Sequence, residues 1–185
     1  MNPYRRLTAG ACLSVSAAIM LVVVIQGANA GSAAKKRHQH GAHVHGMAQL
    51  NIAIEERTAT VEFESPAESI IGFEHKAKTV ADQQRQTKAL DLFKNNISSM
   101  LIFEPALGCR LSPTNLDVVQ QDQEHSEVHG VFAVSCDGPL GGSKIHFGFT
   151  KNFPALQSVN VQVVTPTQQV GATIKQDRGA VEVPR

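Results

Sequence analysis

Three observations in this chain predict an α+β fold, a single domain in which a mainly antiparallel β-sheet packs on one long and one short helix. Apolar and polar residues alternate with strand period over residues 47–64, and helical spacing takes over as far as residue 101. Strand alternation then returns for the rest of the chain. Strands, then helices, then strands again is the order of an α+β domain, and no internal repeat is present.

Each element has its own local reason. Leu50, Ile52 and Ile54 alternate with Gln49, Asn51 and Ala53, and Ala59, Val61 and Phe63 alternate with Thr60, Glu62 and Glu64. Glu56 and Arg57 then lie near the turn of a hairpin. Ser65, Pro66 and Glu68 read as an N-cap, an N1 proline and an N3 acid, which starts a short helix through Ile70 and Ile71 that ends near Gly72. A longer helix starts at Thr79, because Val80, Leu90, Phe93, Ile97, Met100 and Leu101 recur at helical spacing, and Pro105 and Gly108 stop it. Cys109 and Leu111 begin a strand that Leu116 to Val119 extend or follow, and Val128 to Cys136 form the clearest strand of the second half. Ile145, Phe147 and Phe149 alternate next, Pro154 interrupts, and Val159, Val161 and Val163 alternate again. The tail predicts a last hairpin, residues 172–174 and 181–183 around a turn at 177–179.

Residues 1–30 read as a signal peptide: Arg5 and Arg6 precede an apolar run from Ala11 to Ile25, and Ala28, Asn29 and Ala30 form an A-x-A cleavage site. The run is short for a membrane span, so no stable membrane anchor is expected after cleavage. Cys12 leaves with the signal. Residues 31–46 carry Val44 as their one large apolar residue and read as a flexible His-rich arm, followed by one domain over residues 47–185. Seventeen basic residues less Arg5 and Arg6 stand against sixteen acids, a formal charge of minus one, which gives no support to nucleic-acid binding. An exported pair of cysteines, Cys109 and Cys136, points to a disulfide, with a thiolate metal site as the alternative.

Four of the eight histidines, His38, His40, His43 and His45, fall within eight residues of the arm. Neutral imidazole binds zinc, copper or nickel, and close spacing lets two or three rings meet one ion at little cost in loop entropy. A second constellation is His125, Glu127 and His129, which a strand would turn to one face, opposite Val128, Phe132 and Val134. Two imidazoles and a carboxylate form a partial zinc ligand set; an exposed polar strand face accounts for them equally well. The His-x-Glu-x-His spacing is not the helical metalloprotease motif, which places glutamate directly after the first histidine. His75 reads as a cap, a ligand or plain surface, and His146 faces outward. With Met47 and Met100 the only methionines beyond the signal, the thioether cluster of a Cu(I) carrier is missing. No phosphate loop or nucleophile elbow occurs, and the chain is not expected to be an enzyme.

Taken together, H-x-H-G-x-A-x-L at residues 43–50, E-S-P-A at 64–67 and G-F-E-H at 72–75 resemble the ZrgA family of periplasmic zinc-uptake proteins. The His-x-Glu of His125 and Glu127, the cysteine pair and F-P-x-L at 153–156 extend that resemblance over most of the chain. It implies a periplasmic protein that binds Zn²⁺ and passes it toward an ABC-type membrane transporter. The long Asp/His/Glu tract that some relatives insert is reduced here to residues 120–124, which implies one site, or one site and a weak arm. The histidine run then divides: His38 and His40 as a lure, His43 and His45 as members of a defined site. Competing readings are an envelope scaffold with incidental histidines, a copper or nickel binder, and a zinc hydrolase using Glu127 as base.

Overall fold

The expected hairpin forms first, from β1 (Met47–Glu55) and β2 (Thr58–Pro66), which pair antiparallel with Ile52 opposite Val61 and Leu50 opposite Phe63. Their alternation is complete: every second residue is buried, so one face of the ribbon is apolar and the other is wet. The computed structural model describes residues 44–177 and 179–185. The signal peptide, and His38, His40 and His43 of the arm, lie outside the described residues.

After β2 come α1 (Ala67–Ile71) and α2 (Val80–Met100), then β3 (Leu101–Phe103), a 3-10 turn at Pro105–Leu107, β4 (Arg110–Gln120) and β5 (Ser126–Ser135). The chain closes with β6 (Lys144–Phe147), β7 (Ser158–Val164), β8 (Gln169–Lys175) and β9 (Ala180–Glu182). Six strands form one sheet in the order β4-β5-β2-β1-β7-β8, and β3-β6-β9 form a smaller second sheet. The pair β1 and β7 is parallel, with Leu50 beside Val161; the other pairings are antiparallel. The fold is α+β, with a mostly antiparallel sheet, one long helix and one short one.

Several local expectations change. Ser65 is not a helix cap: β2 continues through Pro66, which pairs with Glu127, and α1 starts with Pro66 as N-cap and no side-chain capping bond. Ser65 is therefore a buried strand residue, and Glu68 is released from a capping role. Thr79 does cap α2: its hydroxyl accepts the Asp82 N–H, and the Asp82 carboxylate accepts the Thr79 N–H in return. Leu101 leaves the helix to start β3, because it and Phe103 find partners in Phe147 and Ile145. Val80, placed on the apolar stripe by spacing, is 70% exposed at the first turn, beyond the reach of the sheet. The tail is no hairpin: β8 pairs with β7 and β9 with β6, in different sheets.

The core lies between the inner face of the large sheet and α2, joined by the small sheet. Helix α2 buries Ala89, Phe93, Ile97 and Met100 along one stripe. Phe93 is fully buried, with ring centroids at 4.8 Å from Phe63, 5.4 Å from Phe153 and 5.5 Å from Phe132.

Cys109 and Cys136 are joined by a disulfide, which excludes the thiolate metal site, since both sulfurs are spent on each other. They flank the β4–β5 pair one step past Arg110 and Ser135, which are opposite one another, so the bond closes the open end of that pair. Arg110 Nη2 donates to Asp137 Oδ1 at 2.8 Å on the same end. Replacing both cysteines by serine is expected to lower unfolding free energy by about 3.5 kcal/mol, from loop entropy over their 27-residue separation. Denaturant titration under oxidising conditions measures it, and a loss under about 1 kcal/mol would contradict the assignment.

Candidate metal centre

The site is built where β1 enters the sheet. Val44 to Met47 form a turn closed by the Met47 N–H donating to the Val44 carbonyl, with Gly46 at φ +77°. A side chain at Gly46 would be strained by that φ and would press its Cβ to 3.1 Å from the Ala155 carbonyl. Gly46 is held on both sides: its N–H donates to the Ser69 hydroxyl at 3.1 Å, and its carbonyl accepts from the Gln157 and Ser158 N–H groups. His45, one residue earlier, is thereby aimed at α1.

Helix α1 supplies the second donor. Glu68 sits one residue before Ser69, and its Oε2 lies 2.6 Å from His45 Nδ1. Gly72, in the left-handed conformation at φ 90°, ends the helix and turns the chain so that Glu74 comes back beneath the turn between β4 and β5. There the Glu74 carbonyl accepts a 2.6 Å bond from the Ser126 hydroxyl and a longer one, 3.5 Å, from Gln120 Nε2. The Glu74 carboxylate points to His45, Oε1 lying 3.8 Å from Nδ1.

The ligand atoms of His45, Glu68 and Glu74 lie within 4.8 Å of one another, the one such group of three among the described residues. Their surroundings differ: the His45 side chain is 66% exposed and Glu68 53%, but Glu74 only 11%. Glu74 Oε1 is buried and has no hydrogen-bond partner, alone in this among the described side chains. A carboxylate oxygen withdrawn from water without a partner is costly, and a cation at that point would remove the cost. Donors around tetrahedral zinc stand about 3.4 Å apart, so His45 and Glu68, 2.6 Å apart, must open to admit the ion, and His45, 3.8 Å from Glu74 Oε1, must close on it slightly.

The turn before β5 adds His125. Spacing put it on one strand face with Glu127 and His129, but it falls outside the strand, and its ring lies 2.9 Å from Asp122 Oδ2. Hydrogen bonds from the Glu124 N–H, the His125 ring and the His125 N–H hold the Asp122 carboxyl down to about 2. The bond and the charge of Asp122 push the His125 ring up, with a further contribution from the negative charge of Glu74. The Asp122 contribution is lost as pH falls toward 2, and the His125 contribution as pH rises past its elevated value. The turn is thus tightest between their ordinary values, 3.8 and 6.5. The electrostatic reach of Glu74 brings His45 and His125, 80 positions apart in the chain, to one neighbourhood.

Glu127 and His129 do share a strand face, half-buried at both positions, with Val128 fully buried on the other. Glu127 Oε2 accepts from Gln121 Nε2 at 2.6 Å and lies 2.9 Å from His129 Nε2. These two are paired with each other and are not members of the His45, Glu68 and Glu74 group. His75 stacks on Phe73 at 4.6 Å between centroids, with its Nδ1 3.2 Å from the Lys76 carbonyl. His146 is exposed on β6, opposite Ile102.

Glu68 and Glu74 are the donors that sequence reasoning missed. Glu68 reads from its spacing as a helix-cap acid, and Glu74 carries no local signal beyond its place in G-F-E-H. Both stand in or beside the quoted E-S-P-A and G-F-E-H motifs, the one signal that could have found them.

A family model described as ZrgA family zinc uptake protein matches residues 42–183. No curated protein matches the chain significantly. Among the described residues no helix is long and apolar enough to cross a membrane.

Proposed function

The chain belongs to the ZrgA family of zinc uptake proteins, and from that premise we propose that it captures Zn²⁺ at His45, Glu68 and Glu74 and supports its delivery to a membrane importer. The observation that carries this reading is the buried Glu74 oxygen, without a hydrogen-bond partner, facing an imidazole and a second carboxylate. One nitrogen and two oxygens form a donor set suited to zinc, and with both distal cysteines in a disulfide no thiolate draws the site toward Cu(I). One further imidazole, His125 near Glu74 or His43 two residues before His45 in the chain, supplies the fourth donor, while His38 and His40 raise the local zinc concentration. The protein acts as a binding protein, not an enzyme, in the periplasm, where the signal read at residues 1–30 sends it. An ABC-type transporter is the receiving partner.

Zinc needs deprotonated imidazole, so affinity falls as pH drops through the histidine range. The Asp122 carboxylate keeps the His125 ring protonated to higher pH than an ordinary histidine, so proton competition begins early. Calorimetric titration with zinc at about pH 7.5 and about pH 5.5 tests the proposal. Binding tighter than about micromolar at the higher pH, weakened at least about tenfold at the lower, is the expected result. No such binding at the higher pH would refute it.

A further inference from the structure

Among the described residues four polar side chains are buried, Ser65, Ser69, Ser126 and Ser143, and two of them hold the backbone beside candidate zinc ligands. Ser69, 4% exposed, accepts the Gly46 N–H next to His45, across 23 residues of chain. Ser126, 3% exposed, donates to the carbonyl of Glu74 itself, across 52 residues. The His45 turn, helix α1 with its Glu68, the Glu74 segment and the start of β5 are separate stretches of chain. The two hydroxyls tie them in pairs, the first to α1 and the third to β5. Ser126 also directly follows His125. The His45 and Glu68 side chains meet each other at 2.6 Å but are both exposed, so no buried contact fixes them and their place relative to Glu74 depends on where the backbone is pinned.

We infer that Ser69 and Ser126 are positioning residues of the zinc site, holding the His45 turn and the Glu74 carbonyl so that His45 meets the two acids of the α1 segment before the ion arrives. The inference rests on the zinc site proposed above. Neither serine touches the metal. Groups that orient metal ligands in this way contribute roughly 10- to 100-fold in affinity. Ser143 supplies the internal comparison: it is equally buried and donates to the Leu140 carbonyl at 2.6 Å, in the approach to β6, and bonds neither the His45 turn nor the Glu74 segment.

The test measures zinc affinity by chelator competition, together with the melting temperature of the metal-free protein, for full-length wild type, S69A, S126A, S143A and E74Q. S69A and S126A are expected to lose about 10- to 100-fold in affinity, whereas S143A melts lower but binds zinc within about twofold of wild type. Wild-type affinity in both S69A and S126A, with E74Q impaired, would overturn the positioning role alone. Unchanged affinity in E74Q would instead overturn the zinc site on which it rests. A second measurement needs no variant. Coupling is reciprocal, so if the Ser69 bond tightens zinc binding, zinc must tighten that bond. The Gly46 amide of the wild-type protein should therefore exchange with solvent at least about tenfold more slowly when zinc is bound. Exchange unaffected by zinc would overturn the inference for Ser69 whether or not the alanine variants fold.

Discussion

Glu74→Gln is expected to weaken zinc binding by about 100-fold or more while leaving the metal-free protein as stable as before or slightly more so. The two effects have one cause. Glu74 Oε1 is buried with no hydrogen-bond partner and meets the His45 ring only at 3.8 Å, so in the metal-free state no hydrogen bond offsets the desolvation of that oxygen. An amide of the same shape carries less of that cost, but it brings no charge to a divalent ion. His45 and Glu68, both largely exposed, keep hydration in the variant and, without the buried carboxylate, hold zinc more weakly. Chelator competition reads the affinity and a thermal melt of the metal-free protein reads the stability. A variant that loses zinc only because it unfolds would show a large fall in melting temperature, which runs against the expected sign. Retained affinity would show that zinc binds elsewhere, with the Glu127 and His129 pair the next place to look.

Phe93→Ala is expected to be the most destabilising single truncation in the domain, at about 3–5 kcal/mol. Phe93 is the residue through which α2 meets both faces of the core: its ring lies within 6 Å of Phe63 on β2, Phe132 on β5 and Phe153 ahead of β7. Truncation removes the buried area of one ring and the edge and tilted contacts of its neighbours, and close-packed aromatic rings on several elements cannot collapse into the gap together. For a domain of this size the loss corresponds to a melting temperature lower by about 10–15 °C. Circular dichroism melts of the disulfide-intact protein measure it. A shift under about 3 °C would mean that the core relaxes around the cavity or that α2 contributes little to the cooperative unit. Zinc added to the variant should restore part of the stability if the site survives, by mass action.

The parts of the fold legible in the chain are those whose signal is local. β1 and β2 announce themselves because alternation over nine residues with a two-residue turn needs no information from elsewhere. The Thr79 cap and its Asp82 partner lie three residues apart, within one turn. The Ser65 reading failed because the same local pattern was overridden by a strand partner: pairing of Pro66 with Glu127, 61 positions away, kept Ser65 in β2. The tail failed for the same kind of reason. β8 and β9 are neighbours in sequence, yet each gains more by extending a sheet already present, β8 on β7 and β9 on β6.

For the candidate site the division is sharper. Sequence by itself determined the chemistry: the histidine supply, the two cysteines available to pair, the motifs that mark the family, and His45 at the threshold of the first strand. Only the tertiary structure decided which acids meet it. Glu68 and Glu74 stand 23 and 29 positions from His45, and apart from their place in or beside the family motifs nothing along the chain sets them off from its other acids. They become a site because Gly46 and Gly72 turn the backbone and because Ser69 and Ser126 pin two distant segments beside each other. Burial of Glu74 Oε1 belongs to that arrangement alone, since desolvation is a property of what surrounds an atom and no spacing along a chain encodes it.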